Sequence, residues 1–158
     1  MEKDQEHTLD IRKEVSMSNC FHLAIEAGDL EIAKQWYTDV LGCKLDMAEE
    51  GKWQDIDFFG NELTLHSSTP RQSKGPERSK HHVDMGEVCV PHFGIHLEEA
   101  DYQRIRASIE THTGFLDTPY IRFADTDYQQ ETFFVEDPNY NVLEIKQMVK
   151  GHLGKDTI

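Results

Sequence analysis

Residues 21–25 read Phe21-His22-Leu23-Ala24-Ile25, and residues 91–95 read Pro91-His92-Phe93-Gly94-Ile95. Each run has a histidine, a bulky residue, a small residue and an isoleucine, and each is short and apolar enough for a strand. Such self-similarity settles the organisation of a chain before any single element does. After the first run come Gly28 and Asp29, then LEIAKQWYTDVLG. There Leu30, Ala33, Tyr37 and Val40 recur at helical spacing, Asp29 suits an N-cap and Gly42 a stop. After the second, EEADYQRIRASIETHTG repeats the plan. Ala100, Ile105 and Ile109 share one face, the first turn is acidic, and Gly114 closes the helix.

Both blocks then turn to strands. Trp53 to Phe59, Glu62 to His66, Ile121 to Phe123, Glu131 to Val135 and Asn141 to Lys146 alternate or cluster apolar residues. Gly60-Asn61 predicts a tight turn in block one, and Glu136-Asp137-Pro138-Asn139-Tyr140 a wider one in block two. Each block reads β-α-β-β-β, so the expected fold is α+β, two βαβββ modules whose curved sheets enclose a cavity. The expected domain covers 20–148, with module one at 20–66, a linker at 67–90 and module two at 91–148. A flexible N-terminal tail is expected at 1–19 and a C-terminal tail at 149–158. The linker is rich in Ser, Pro, Gly, Lys and Arg, the composition of an exposed connection that joins two units or covers a site.

The chain has 158 residues with 16 basic against 30 acidic side chains, a net charge of −14, and 37% apolar residues. Residues 20–70 carry −7 and 91–150 carry −6, while 71–90 carry +1. This excess of acid argues against nucleic acid, whose binders depend on basic groups displacing counterions, and against anionic membrane surfaces. Cys20, Cys43 and Cys89 are odd in number and irregular in spacing, without a disulfide framework. No export-type apolar segment opens the sequence. A soluble cytoplasmic protein with reduced thiols is expected.

Of 9 histidines, His7, His81, His82 and His152 fall in expected tails or linker and read as solvated, and His112, late in the second helix, as structural. His22 and His92 stand at equivalent places in the repeat, and they converge if the units pair about a pseudo-twofold axis. Glu144 lies within the apolar run Val142-Leu143-Glu144-Ile145, where a carboxylate is costly unless paired or bound to a cation. Two imidazoles and a carboxylate form the set that holds iron, manganese, nickel or zinc with positions open to substrate. In block one, Glu62, Thr64 and His66 share a strand face. Matching the strands sets Thr64 against Glu144, and a slip of two residues brings in Glu62 or His66 as a fourth ligand or cavity residue. His96 follows His92 by two and is a candidate base or a polar wall residue. Tyr120 and Arg122 are candidates for orienting an anionic oxygen, with an ordinary surface arginine as the alternative. The chain contains no G-x-S-x-G, P-loop or G-x-G-x-x-G pattern.

The two modules, FHLAIEAGDLEIAKQWYTDVLG, PHFGIHL and FFVEDPNYNVLEIK together resemble the vicinal oxygen chelate superfamily, which contains glyoxalase I, extradiol dioxygenases, fosfomycin-resistance transferases and bleomycin-binding proteins. The likeness runs from about Cys20 to Met148, and the aromatic pair, acidic-Asp-Pro turn and Asn-x-Leu-Glu close are its most specific part. The resemblance implies a divalent metal held by His22, His92 and Glu144, a small-molecule substrate chelated through adjacent oxygens, and a homodimer. The first expectation is an extradiol-type dioxygenase. The alternatives are a glyoxalase I-type lyase or isomerase, with Glu62 as fourth ligand, a thiol transferase, and a metal-free protein that sequesters its ligand.

Overall fold

A computed structural model describes residues 19–72, 79–83 and 86–147. The C-terminal tail expected at 149–158, all but residue 19 of the N-terminal one, His7, His152 and parts of the linker lie outside the described residues.

In module one, β1 (His22–Gly28) leads into α1 (Leu30–Asp39), followed by β2 (Lys44–Glu49), β3 (Trp53–Phe58) and β4 (Asn61–Ser67). Asp29 starts the helix as expected: its carboxylate accepts from the backbone N–H groups of Glu31 and Ile32 at 3.0 and 3.1 Å. Gly42, at φ 75°, ends it. Strand β2 has every residue exposed, so it shows none of the alternation by which a half-buried strand is recognised. The tight turn comes one residue earlier than the sequence suggests. Phe58 pairs with Asn61, leaving Phe59 and Gly60 as the loop, both at positive φ.

Module two repeats the order with β7 (Phe93–Leu97), α2 (Glu99–His112), β8 (Asp117–Arg122), β9 (Gln130–Glu136) and β10 (Val142–Gln147). The buried face of α2 is Tyr102, Ile105 and Ile109, while Ala100 is exposed. Between the modules, the expected exposed linker contains a hairpin of β5 (Ser79–Val83) and β6 (Gly86–Val90). Val88 and Cys89 of this hairpin are buried with Phe134 and Val142, forming a small second core on one face of the module-two sheet. His81 and His82 are exposed on β5.

The strands form two four-stranded sheets, in the orders β1-β4-β3-β2 and β7-β10-β9-β8. In each, the first strand runs parallel to the last and all other pairs are antiparallel. The sheets do not close on one another, so the expected enclosure by curved sheets is open within the described residues of one chain. One core nevertheless unites the modules: Tyr37, Leu41, Ile56, Leu63 and Leu65 of the first pack in the same cluster as Tyr102, Ile105, Phe133 and Leu143 of the second. Polar clips lock this junction. Tyr37 donates to Asp137 at 3.0 Å, Asn139 donates to the Glu26 carbonyl at 2.9 Å, and Ser108 donates to the Val40 carbonyl at 2.8 Å. No helix among the described residues is long and apolar enough to cross a membrane.

Candidate functional site

Glu144 lies in the middle of β10 and is only 5% exposed. The parallel register sets it opposite Gly94 of β7. A Cβ at residue 94 would stand 1.8 Å from the Glu144 carbonyl oxygen, so only glycine lets the two strands approach this closely. His92 immediately precedes β7, and its Nε2 lies 3.3 Å from Glu144 Oε2. Its other ring nitrogen, Nδ1, donates to the Cys89 carbonyl at 2.6 Å, which fixes the ring. With Nε2 protonated the ring donates to the carboxylate; without that proton its lone pair is available to a metal, and the Cys89 carbonyl fixes that tautomer.

Three further groups converge on the same carboxylate. Thr132 Oγ1 lies 3.0 Å from Oε1 and donates to it, Lys146 Nζ stands 3.0 Å from Oε2, and Arg122 Nη1 lies 4.0 Å from Oε1. Burial by itself pushes the Glu144 carboxyl up. The hydrogen bond from His92, the charge and hydrogen bond of Lys146 and the Thr132 hydroxyl outweigh it and hold the group at about 2. The hydrogen bond to Glu144 raises His92 in turn, burial opposes this, and the Cys89 carbonyl adds to the rise. The pair is thus an ionised carboxylate inside a cluster of cationic groups.

Module one carries a second, more open pair. His22 and Glu62 face each other across the β1–β4 register, and His22 Nδ1 lies 2.5 Å from Glu62 Oε1. Register and contact point to different residues here. Counted from the repeat histidines, Thr64 opposite Ala24 matches Glu144 opposite Gly94, but it is Glu62 that reaches His22. Thr64 is buried with its hydroxyl 2.5 Å from Asp55 Oδ1. His66 is exposed opposite Glu26, away from His22 along the strand.

Of the other candidates, Arg122 is half-buried over the Phe123 ring at 4.9 Å as well as near Glu144, and so is not the ordinary surface arginine of the alternative reading. Tyr120 packs against the second core. His96, opposite Lys146 in the register, lines a cavity of about 690 Å³ with Phe21, Phe58, Phe59, Phe93 and Glu62. This cavity touches Glu62 but none of His22, His92 or Glu144.

The donors fit a divalent cation in kind: each module supplies one imidazole beside one carboxylate. Yet among the described residues no three His, Cys, Asp or Glu side chains stand close enough to hold a metal together. One chain presents two imidazole–carboxylate pairs rather than the assembled trio of His22, His92 and Glu144. Sequence reasoning missed Lys146, Thr132 and the Cys89 carbonyl. Lys146 had a visible signal, since it follows Glu144 by two and shares its strand face. Thr132 and the carbonyl become neighbours only through strand register and the hairpin.

The family model described as the glyoxalase/bleomycin resistance protein/dioxygenase superfamily matches residues 20–145. No curated protein matches the chain in sequence. Among solved structures, a glyoxalase/bleomycin resistance protein/dioxygenase from Alicyclobacillus acidocaldarius is 30% identical, with 82% of this chain and 90% of that one covered, at a TM-score of 0.60. Two others share the fold. Lactoylglutathione lyase from Agrobacterium tumefaciens is 17% identical over 83% of this chain and 94% of that one, with a TM-score of 0.54. The fosfomycin resistance protein FosX from Listeria monocytogenes is 10% identical over 84% and 95%, with a TM-score of 0.58.

Proposed function

The chain belongs to the glyoxalase/bleomycin resistance protein/dioxygenase superfamily, and on that premise we propose that it is a metal-dependent enzyme acting on a small substrate through two adjacent oxygens. His22, His92 and Glu144 are its metal ligands, and Glu62 is the fourth. The observation that carries this reading is Glu144, a carboxylate 5% exposed inside an apolar strand with the imidazole Nε2 of His92 at 3.3 Å. A divalent ion of iron, manganese, nickel or zinc, when bound, supplies a Lewis acid that stabilises oxyanion charge developing on the chelated oxygens. The chain's own residues set the rest. The Cys89 carbonyl holds His92 in its ligand orientation, Thr132 fixes one oxygen of Glu144, and Arg122 offers a guanidinium to an anionic oxygen.

The separation into two imidazole–carboxylate pairs supports a homodimer in which module one of one copy completes the site with module two of the other. The contact between Glu62 and His22 favours a four-donor set and proton transfer of the glyoxalase I type over the three-donor set expected of an extradiol dioxygenase. Glu62→Gln separates the two. Loss of bound metal together with activity on a hemithioacetal supports the four-donor reading. Unchanged metal content, with oxygen consumed when anaerobically iron-loaded protein meets catechols, supports the dioxygenase. Protein that takes up no metal on incubation points to the third class, a protein that sequesters its ligand.

A further inference from the structure

Lys146 holds a place that a metal site does not need for its own sake. Its ammonium lies 3.0 Å from Glu144 Oε2, the same oxygen that His92 Nε2 approaches at 3.3 Å. The Lys146 side chain is 20% exposed, and Glu144 is its one ion partner among the described residues. In the register, Lys146 stands between His96 of β7 and Thr132 of β9, so the ladder fixes its backbone and only the flexible stem moves the charge. A chain of net charge −14 thus brings a lysine and, 4.0 Å from the other oxygen, an arginine to one buried carboxylate.

This arrangement is physically complete only while the carboxylate is free. Once Glu144 is committed to a divalent cation, the ammonium faces like charge and loses its counter-ion in a place that is mostly shielded from water. Such a charge needs a new partner. We propose that Lys146 is the exchangeable counter-ion of this site: it neutralises Glu144 in the metal-free chain and, when the carboxylate takes up metal, presents its ammonium to an anionic oxygen of the substrate. The substrate class is therefore one that carries negative charge on or beside its chelating oxygens, such as a carboxylate, phosphonate or ionised enol. The inference rests on the metal-site reading above.

The test uses the full chain and its Lys146→Met and Lys146→Gln variants, with Lys146→Arg as the charge-conserving control and circular dichroism to confirm folding. Calorimetric titration with cobalt(II) reads the first half, and titration of the cobalt-loaded proteins with oxalate, an anion with adjacent oxygens, reads the second. The neutral variants are expected to bind cobalt at least tenfold more tightly, because no ammonium competes for the carboxylate, and oxalate at least tenfold more weakly. Lys146→Arg should stay within about threefold of the unaltered chain for both. Cobalt binding that is unchanged or weaker in both neutral variants overturns the proposal, and so does oxalate binding indifferent to the lysine. Absence of cobalt binding by the unaltered chain and every variant overturns the metal reading itself, a different result from normal metal binding that ignores Lys146.

Discussion

Replacing Gly94 with alanine tests whether the close approach of β7 and β10 builds the candidate site. The added methyl would sit 1.8 Å from the Glu144 carbonyl oxygen, where ordinary contact begins at 3.4 Å. The strands must therefore part by about 1.6 Å from a normal spacing of about 4.8 Å. That is enough to stretch the flanking ladder hydrogen bonds beyond about 3.5 Å. Loss of two such bonds at about 1 kcal/mol each, added to overpacking of about 1–3 kcal/mol, gives a destabilisation of about 3–5 kcal/mol. For a domain of this size the expected fall in melting temperature is about 10 °C. Denaturant titration gives the free energy directly, and nitrogen-detected NMR of His92 gives the local consequence. With Glu144 displaced, the His92 imidazole should titrate lower, towards an ordinary histidine. A variant within about 1 kcal/mol of the parent, with His92 titrating as before, would refute the claim that glycine at this position sets the geometry.

Glu144 is held at about 2 in the fold against an ordinary value of 4.5. Its ionised form therefore favours the folded state by about 3 kcal/mol at neutral pH. This contribution is present above about 4.5 and is lost as pH falls from there through about 2, so Glu144→Gln should flatten the acid limb of stability measured by urea titration. Asp137 accepts from Tyr37 and from the backbone N–H groups of Asn139 and Asn141. Asp137→Ala should cost about 3 kcal/mol by orphaning buried donors, read as a lower urea midpoint, without changing which metal binds. Asp29→Ala should cost only about 1 kcal/mol, the loss of one helix cap, in the same assay.

The repeat that begins at Phe21-His22 and Pro91-His92 made most of the fold legible, because each module must bury the same helix face and the same alternating strands. Legibility failed where burial is absent or comes from afar. Strand β2 is exposed throughout and carries no hydrophobic period. Strand β6 reads as a polar linker until Val88 and Cys89 find Phe134 and Val142. At the site, chemistry singled out His92 and Glu144, since a carboxylate inside an apolar strand demands a partner. Which block-one residue meets His22 depended on a register that a single sequence fixes only to within two positions. The distinctive Asp137-Pro138-Asn139 turn proves to be a clip between modules rather than a site. Its specificity reflects buried backbone groups that need partners, which explains why so recognisable a motif touches none of the candidate ligands.

In the proposed dimer, His22 and Glu62 of one copy complete a metal site with His92 and Glu144 of another. Mixing His22→Ala protein with Glu144→Ala protein under mild unfolding and refolding tests it most directly, with bound metal counted by elemental analysis. Each variant alone should hold almost none. A mixed dimer contains one site made from the two intact modules, so the account predicts that mixing restores metal to about one site in each mixed dimer. No recovery on mixing, while the unaltered chain holds its metal, would contradict it.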